Sequence, residues 1–116
     1  MRRIHRELLR GAGPVTVLRL LKGGPMYGYE LAEALDRRTD GVLAMGHSTL
    51  YPLLYSLEAK GLVVAEWQEA DSGRRRKYYG LTARGEATLA AKADEWRRLI
   101  GALTSVGLFH PGVAEA

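Results

Sequence analysis

The chain lacks several features that define large classes of proteins. It contains no cysteine, which excludes disulfide bonds and thiolate metal sites and fits a reducing compartment. No apolar run approaches the roughly 18 residues that a membrane span needs. The basic N-terminus also lacks the apolar core of a secretory signal. From these absences we expect a soluble, cytoplasmic protein.

Residues suited to catalysis or metal binding are also few. The three histidines, His5, His47 and His110, lie far apart and show no metal-ligand or zincin-type spacing. The glycines lie at predicted turns and helix ends, and none forms a nucleotide-binding loop. Ser48 could act as a nucleophile only beside a base, and on a helix His47 points about 100° away from it. We therefore expect no enzyme, no cofactor and no metal site.

What the chain does contain favours one folded domain with an anionic partner. Its 116 residues suit a single domain. Hydrophobic residues are 47% of the total, which is enough for a folded core. The formal net charge is +4 and the sequence pI is about 9.6. Such a balance favours an anionic partner such as nucleic acid, although many basic domains bind nothing acidic.

The stretch from His47 to Gly61 predicts an amphipathic helix with an unusual outward face. Four leucines recur at the i, i+3, i+4, i+7 spacing of one helix face: Leu50, Leu53, Leu54 and Leu57. The outward face carries hydroxyls and rings with almost no charge: Ser48, Pro52, Tyr55 and Ala59, flanked by Thr49, Tyr51 and Ser56. A solvated helix would normally carry Lys and Glu there. We therefore interpret this segment as a recognition helix for a DNA groove, with Ser48 or Thr49 as its N-cap and Gly61 as its C-terminal stop.

The segments before this helix complete a predicted helix-turn-helix. Gly11–Pro14 should interrupt any earlier helix, so a first helix is expected over residues 14–22. A second helix is expected from Tyr27 to Arg38. Residues 42–46 then form a connector, which either adds a short strand or covers the core. The second helix, a turn and the recognition helix match a helix-turn-helix.

An N-terminal arm over residues 1–10 carries four arginines and a single acid. The arginines are Arg2, Arg3, Arg6 and Arg10. The arm has three interpretations: a solvated or frayed segment, a contact to DNA phosphates, or a strap across a partner subunit. The sequence leaves all three open.

Residues 62–82 predict a β-hairpin that would form the wing. The pattern alternates with a period of two, Asp71–Gly73 marks a hairpin turn, and Lys77–Leu81 is the expected return strand. Four contiguous cations lie at the tip: Arg74, Arg75, Arg76 and Lys77. They either keep the edge of the hairpin soluble or lie along DNA phosphates or in a minor groove. Four like charges repel one another, so the fold alone gives no reason to group them. We therefore favour the second interpretation. Trp67 is expected to pack rather than to contact DNA.

A long last helix is expected from Ala83 to about Thr104, with Thr82 as its cap. Its apolar residues follow heptad spacing for about two heptads: Leu89, Ala93, Trp96, Ile100 and Leu103. The rest of the chain is too short to cover this seam, so we expect a twofold homodimer. The alternative is that the seam packs only onto the helix over residues 14–22.

These elements together predict an α+β, mainly α, fold: a winged helix-turn-helix with a long C-terminal dimerisation helix. Residues 1–82 would form the DNA-binding domain, with the arm over 1–10 and the wing over 62–82. Residues 83–106 would form the dimerisation helix, and residues 107–116 a flexible tail.

Several short motifs occur in order between about residues 8 and 103. They are Leu18–Leu21 with Gly24-Pro25, Tyr27–Leu31, Ser48–Leu54, Leu57-Glu58 with Lys60–Val63, Gly73–Tyr79 and Leu81–Gly85. Each is weak alone, but together they are specific, and the chain resembles the PadR family of winged-helix transcriptional regulators in its short form with one C-terminal helix. Gly13-Pro14 departs from the family's usual aliphatic run.

The resemblance implies a dimeric repressor that binds a palindromic operator with one recognition helix in each half-site. It also implies dimerisation through the final helix, often with help from the first. In some members, the tryptophan at the position of Trp96 pairs across the dimer axis and flanks a pore for flat aromatic compounds. Trp96 is thus a candidate effector-binding residue, with ordinary dimer-core packing as the alternative.

The candidate DNA-binding residues lie on three elements: Ser48, Thr49, Tyr51, Pro52 and Tyr55 on the recognition helix, Tyr27 at the start of the preceding helix, and Arg74, Arg75, Arg76 and Lys77 on the wing. Hydroxyls can bond to phosphates or base edges, and rings can touch thymine methyl groups. Tyr51 lies about 100° from the leucine face, so a half-buried position fits it equally well.

We predict a sequence-specific, ligand-responsive repressor. The alternative function is a winged-helix module that binds protein without specific DNA binding.

Overall fold

Four helices and a three-stranded antiparallel sheet make up the part of the chain that the computed structural model describes, residues 3–110. In chain order the elements are α1 (Arg6–Leu21), β1 (Met26–Tyr27), α2 (Gly28–Arg38), α3 (His47–Ala59), β2 (Val63–Glu69), β3 (Arg75–Leu81) and α4 (Ala83–Ser105). The strand order in the sheet is β1-β3-β2. The predicted fold class, a mainly helical α+β winged helix-turn-helix, is confirmed. Within residues 3–110, none of the helices combines the length and apolar character that a membrane span requires.

The core lies between the helices and one face of the wing sheet, and leucine dominates it. Its buried hydrophobic side chains are Leu9, Val17, Leu18, Leu20, Leu21, Leu31, Ala34, Leu35, Met45, Leu50, Leu54, Leu57, Leu62, Val63, Tyr79 and Leu89. Among the described residues no polar or charged side chain is buried. Burial of a large apolar side chain contributes about 1.5–3 kcal/mol, so apolar packing holds this unit together.

The first helix is longer than the sequence suggests. α1 begins at Arg6 and continues through Gly11–Pro14, so the predicted interruption is wrong, and residues 6–10 of the predicted arm are helical. Gly13 has no Cβ to clash with the proline that follows it, which relieves the usual restriction before proline. Glycine also lets other elements approach, because a Cβ on Gly13 would lie 2.8 Å from Met45 Cε. Packing of Met45 against α1 at Gly13 thus outweighs the low helix propensity of glycine and proline.

A short edge strand precedes α2, and no local pattern indicates it. Met26 and Tyr27 form β1 and pair with Tyr79 and Tyr78 of β3. A strand of two residues is too short to show the alternation by which strands are predicted. α2 consequently begins one residue later than expected, at Gly28.

The connector between α2 and α3 covers the core. Met45 is buried, and Leu43 is half-buried against the same cluster. Residues 42–46 contain no strand, so the structure decides between the two alternatives that the sequence allowed.

The predicted recognition helix, α3, starts earlier than expected. Its N-cap is Gly46 and its first residue is His47, so the prediction of Ser48 or Thr49 as N-cap is wrong. The backbone N–H of Thr49 donates to the Gly46 carbonyl at 3.0 Å. Because the start is shifted, the hydroxyls of Ser48 and Thr49 do not cap the helix and instead lie exposed on its first turn. Gly61 ends the helix as predicted, with a φ of 75° that favours glycine.

The hairpin and the last helix follow the prediction closely. The turn contains Gly73 with a φ of 82°, and β3 begins at Arg75, two residues before the expected start. Thr82 caps α4, because its Oγ1 accepts the Gly85 N–H at 2.9 Å. α4 ends at Ser105, one residue beyond the expected end. Residues 111–116 of the predicted tail, like Arg2 of the predicted arm, lie outside the described residues.

Candidate nucleic-acid interface

α3 buries its leucines and exposes a polar ridge. Leu50 and Leu54 are fully buried and Leu57 nearly so, whereas Leu53 is only half-buried. The exposed side of α3 carries the predicted contact residues Ser48, Thr49, Pro52 and Tyr55. No acidic side chain lies in the first turn of this helix. The ridge therefore offers hydroxyls and rings without a carboxylate to repel phosphate.

Tyr51 is half-buried, and its position depends on a glycine. A Cβ on Gly28 would lie 2.3 Å from Tyr51 Oη, so only glycine at the start of α2 leaves room for the phenol. The Tyr51 ring stacks on His47 with centroids 5.5 Å apart and lies 6.2 Å from the Tyr55 ring. Three rings thus run along one flank of α3, and the end of the middle ring lies over Gly28.

The strand register of the wing separates its cations. Lys77 pairs with Trp67 across the hairpin and shares a sheet face with it, and its Nζ lies 5.6 Å from the Tyr55 ring of α3. Arg76, one residue earlier, projects to the other face and stacks on Tyr27 at 4.5 Å. Arg76 and Lys77, which are neighbours in the sequence, therefore contact different aromatic rings.

Within residues 3–110 no wing cation forms a close ion pair, although Glu69 of β2 lies directly across the hairpin from Arg75. The ion pairs within residues 3–110 join Arg37 to Glu33, Lys92 to Glu95 and Arg97 to Asp94, all outside the wing. Aromatic faces attract cations but leave the charge in place. The cations of Arg76 and Lys77 thus lie beside the ridge of α3 without a close ion pair.

An open cleft of about 330 Å³ lies between α3, the start of α2 and the wing. Its lining includes Tyr27, Tyr51, Tyr55, Trp67, Arg76 and Lys77. Five of these six residues are predicted contact residues, so the fold brings the three predicted elements together. Trp67 is 56% exposed and packs against the guanidinium of Arg75 at 5.5 Å, so the expectation that it packs rather than contacts DNA stays a prediction. The sequence feature that could have placed Trp67 in the cleft is its position on the wing, opposite the cation Lys77.

Tyr79 forms the inner wall of this cleft and is 1% exposed. Burial raises the pKa of Tyr79 from 10.0 to about 12, and the neighbouring Tyr55 and Glu58 act in the same direction. Its phenol is therefore neutral at physiological pH, and the cationic character of the cleft comes from Arg76 and Lys77.

The predicted dimerisation seam on α4 divides into two parts. Leu89 is 5% exposed and packs in the chain's own core. Trp96 is half-buried, and its Cζ2 lies 3.8 Å from a Cβ built on Gly11 of α1. Ile100 is 49% exposed, whereas Ala93 and Leu103 are half-buried. The first half of the seam thus packs onto the same chain, and the second half is open.

Other large apolar side chains on α1, on α4 and just beyond α4 are also exposed. The heptad pattern did not select them: Leu8 on α1, Leu99 on α4, and Val106 and Leu108 just beyond it. Their exposure ranges from 45% for Leu99 to 80% for Val106. Several large apolar residues exposed on the same part of a helix favour an interaction surface there.

Comparison with known proteins identifies the family. Residues 17–91, from the end of α1 to the first half of α4, match the profile described as the transcriptional regulator PadR-like family. The chain belongs to this family. It is 37% identical over 84 residues to the transcriptional regulator Rv3488 of Mycobacterium tuberculosis, an alignment that covers 72% of this chain and 75% of the relative.

Solved PadR-family structures have the same fold. A PadR family transcriptional regulator from Eggerthella lenta superposes with a TM-score of 0.76 at 34% identity, covering 86% of this chain and 85% of that one. A transcriptional regulator from Clostridium thermocellum superposes with a TM-score of 0.78 at 28% identity, covering 85% and 96%. This PadR-family chain is therefore a DNA-binding transcriptional regulator.

Within residues 3–110, no group of three or more His, Cys, Asp or Glu is arranged to hold a metal ion.

Proposed function

We propose that this PadR-family protein is a repressor that binds a palindromic operator as a homodimer, with one α3 in each half-site. The observation that carries the proposal is that the exposed ridge of α3 and the wing cations Arg76 and Lys77 line one open cleft. An α-helix fits the major groove of B-DNA, where hydroxyls and rings meet base edges. Cations on the wing would reach the adjacent phosphates and set the register. Two copies related by a twofold axis would read half-sites about one helical turn apart.

The distribution of charge favours DNA over a protein partner. Arg74–Lys77 place four consecutive cations on the wing, and the ridge of α3 beside them is uncharged apart from His47. A cluster of cations next to a hydroxyl-rich helix fits a regular line of phosphates next to base edges. A protein-interaction module is the alternative, and its binding would lack the steep salt dependence that release of DNA counterions causes.

Removal of the wing arginines tests DNA binding directly. The triple variant Arg74→Ala, Arg75→Ala, Arg76→Ala should bind all duplexes more weakly, because the deleted guanidinium groups would bind phosphates rather than bases. The slope of log affinity against log salt should fall by up to about 0.9 for each phosphate that the variant leaves unneutralised. Fluorescence anisotropy with an operator and a scrambled duplex, over a series of salt concentrations, measures both quantities.

A charge-matched control comes from α4. The triple variant Lys92→Ala, Arg97→Ala, Arg98→Ala removes the same charge from a helix outside the cleft, and should leave the salt slope close to that of the wild type. Equal slopes in the wing variant and the wild type would contradict the wing assignment. Absence of any salt-dependent DNA binding by the wild type would contradict the whole proposal.

The open half of the α4 seam supports the homodimer. Ile100 and Leu99 are about half exposed in one chain, and Leu8 of α1 is 60% exposed. A second copy packed on this strip would bury these side chains, and each fully buried one would contribute about 1.5–3 kcal/mol. A twofold axis there would also fix the distance between the two recognition helices.

We further propose that a planar aromatic compound binds near Trp96 and lowers DNA affinity. The Trp96 ring lies half-buried above Gly11, between the part of the seam that the chain covers itself and the part left open. In a dimer this ring would therefore border the second copy. A ligand that favours one dimer geometry over another shifts the population toward it. Operator affinity falls if that geometry misplaces the two α3 helices.

Tryptophan fluorescence tests the ligand site. The chain has two tryptophans, so Trp67→Phe leaves Trp96 as the single reporter. A panel of planar aromatic compounds should include members that quench this reporter and weaken operator binding over the same concentration range. Trp96→Phe, which keeps Trp67, is the control and should show no such quenching. A broad panel without any quenching of Trp96 would contradict the site.

A further inference from the structure

A second groove lies beside α3, on a different flank from the wing cleft. It has a volume of about 660 Å³ and lies between the start of α1 and the first half of α3. Its lining includes Arg3, Arg6 and Arg10 on one side and Ser48, Thr49 and Pro52 on the other. The α3 residues on the wing cleft are instead Tyr51 and Tyr55. At 100° per residue the two sets are offset by roughly 90° around the helix axis, so α3 has a cationic groove on each flank.

The chain itself holds the N-terminal segment in place. The Ile4 N–H donates to the Val42 carbonyl of the connector at 3.1 Å, and the Ile4 side chain packs against the core. The His5 Nδ1 accepts the Glu7 N–H at 3.2 Å and caps α1. These contacts place Arg3 and Arg6 beside α3 of the same chain, rather than extending them toward a partner subunit.

The arginines of this groove have no acidic partner within it, because Glu7 of the same segment lines a neighbouring pocket with Arg6 and Arg10. Arg6 is the first residue of α1, where the positive end of the helix dipole disfavours a cation. Arg10 follows at i+4, a spacing at which like charges repel. No Asp or Glu lines the groove, and Arg3, Arg6 and Arg10 take part in none of the ion pairs found between residues 3 and 110. An anion supplied from outside would relieve the repulsion.

We infer that Arg3, Arg6 and Arg10 contact the phosphates of one DNA strand while the wing contacts those of the other. The inference rests on the proposed DNA-binding function. The major groove is about 12 Å wide and is bounded on both sides by phosphates. A helix in that groove with cations on both flanks matches this geometry. Ser48 and Thr49, which share the groove with the arginines, lie where their hydroxyls can bond to the same phosphates.

The test is the double variant Arg6→Gln, Arg10→Gln in the full chain. Both side chains are exposed, and their replacement removes like-charge repulsion, so the melting temperature should stay the same or rise. Affinity should fall about tenfold or more at 0.1 M salt for operator and scrambled duplexes alike, and the salt slope should fall by about 1.8 for two phosphates. Arg6→Lys, Arg10→Lys should retain most of the slope.

A matched control lies at the other end of the same helix. Arg19→Gln, Lys22→Gln removes two exposed cations about 20 Å away along the axis, and should leave the slope unchanged. If Arg6→Gln, Arg10→Gln kept the wild-type slope of log affinity against log salt, the inference would be overturned. A reduced slope in the wing variant would in that case still support the proposed DNA binding. Dissociation of the dimer by Arg6→Gln, Arg10→Gln in sedimentation velocity would also overturn it, in favour of a strap between subunits.

Discussion

At the scale of single residues, tyrosine and glycine shape the candidate interface. All six tyrosines lie between Tyr27 and Tyr79, and their environments differ widely. Tyr55 is 53% exposed on the ridge, whereas Tyr79 is 1% exposed behind it. Tyr51 is intermediate, because Gly28 leaves room for its phenol. One residue type thus supplies both the buried support of the cleft and its exposed surface.

Tyr79 should make stability fall at high pH. Its folded pKa of about 12 exceeds the ordinary 10.0, so below pH 10 the phenol is neutral in both states and has no effect. Between pH 10 and 12 the unfolded chain loses the proton first, which favours unfolding. Each pH unit between the two pKa values corresponds to about 1.4 kcal/mol, so the loss by pH 12 is on the order of 2 kcal/mol.

Chemical denaturation of the wild type and Tyr79→Phe over pH 8–12 measures this effect. The other ionisable groups titrate in both proteins, so the difference between their unfolding free energies isolates Tyr79. That difference should be constant up to about pH 10 and then shift in favour of the variant. Parallel curves over the whole range would contradict the assigned pKa.

At the scale of elements, close approaches at glycine set how the helices pack. Gly13 admits Met45 against α1, and Gly85 brings the first turn of α4 against the Leu62 carbonyl. Thr82 strengthens the second junction, because its Oγ1 donates to the Gly61 carbonyl at 2.7 Å. The end of α3 and the start of α4 are therefore fixed to one another. This connection sets the direction of the long helix relative to the recognition helix.

Gly85→Ala should be one of the most destabilising single-methyl changes in the chain. A Cβ there would lie 2.1 Å from the backbone oxygen of Leu62, which no side-chain rotation can relieve. We expect a decrease of about 3 kcal/mol or more in the free energy of unfolding, at the upper end of the cost of overpacking, measured by urea denaturation.

Gly28→Ala and Gly101→Ala are the matched comparisons. Gly28→Ala meets only the movable end of Tyr51 and should cost less. Gly101→Ala meets nothing within 4 Å in the chain, and should not destabilise the monomer, because alanine favours helix. Equal stability of Gly85→Ala and Gly101→Ala would contradict the close approach.

At the scale of the whole molecule, the chain leaves an apolar strip that it does not cover. Leu99, Ile100, Val106 and Leu108 lie on the second half of α4 and just beyond it, while Leu89 in the first half is buried in the core. The same helix thus anchors the wing domain at one end and exposes apolar surface at the other. This division suits a helix that joins two copies through its C-terminal half.

Ile100→Glu with Leu99→Glu should convert the proposed dimer to a monomer. Two carboxylates in an apolar interface would lose hydration without a partner, whereas in a monomer both sites are exposed and the change in stability should be within about 0.5 kcal/mol. Sedimentation equilibrium at micromolar concentration measures the oligomeric state of each protein. Ala90→Glu, on an exposed site in the first half of α4, is the control and should remain a dimer. A dimer in the double variant, or a monomeric wild type, would contradict the proposal.

Local sequence signals predicted most of the elements and few of their contacts. The leucine spacing of α3, the turn at Gly73 and the cap at Thr82 are each set within a few residues, so the sequence predicted them correctly. The start of α1 and the edge strand at Met26 depend on distant partners, and both were missed. The exposure of Trp67 depends in the same way on how the wing lies beside α3, which no local pattern shows.

Short-range patterns along the chain were enough to determine the winged helix-turn-helix, the uncharged outward face of α3 and the cationic wing, because periodicity, turn residues and charge runs act over a few residues. Packing in three dimensions was needed to place Leu89 in the core and Ile100 on the surface, and to bring the arginines at the start of α1 into one groove with Ser48 and Thr49. Those facts depend on how helices far apart in sequence pack together. One physical reason is that glycine removes a steric barrier that no pattern along the chain measures: Gly13, Gly28 and Gly85 let their neighbours approach more closely than a Cβ would allow.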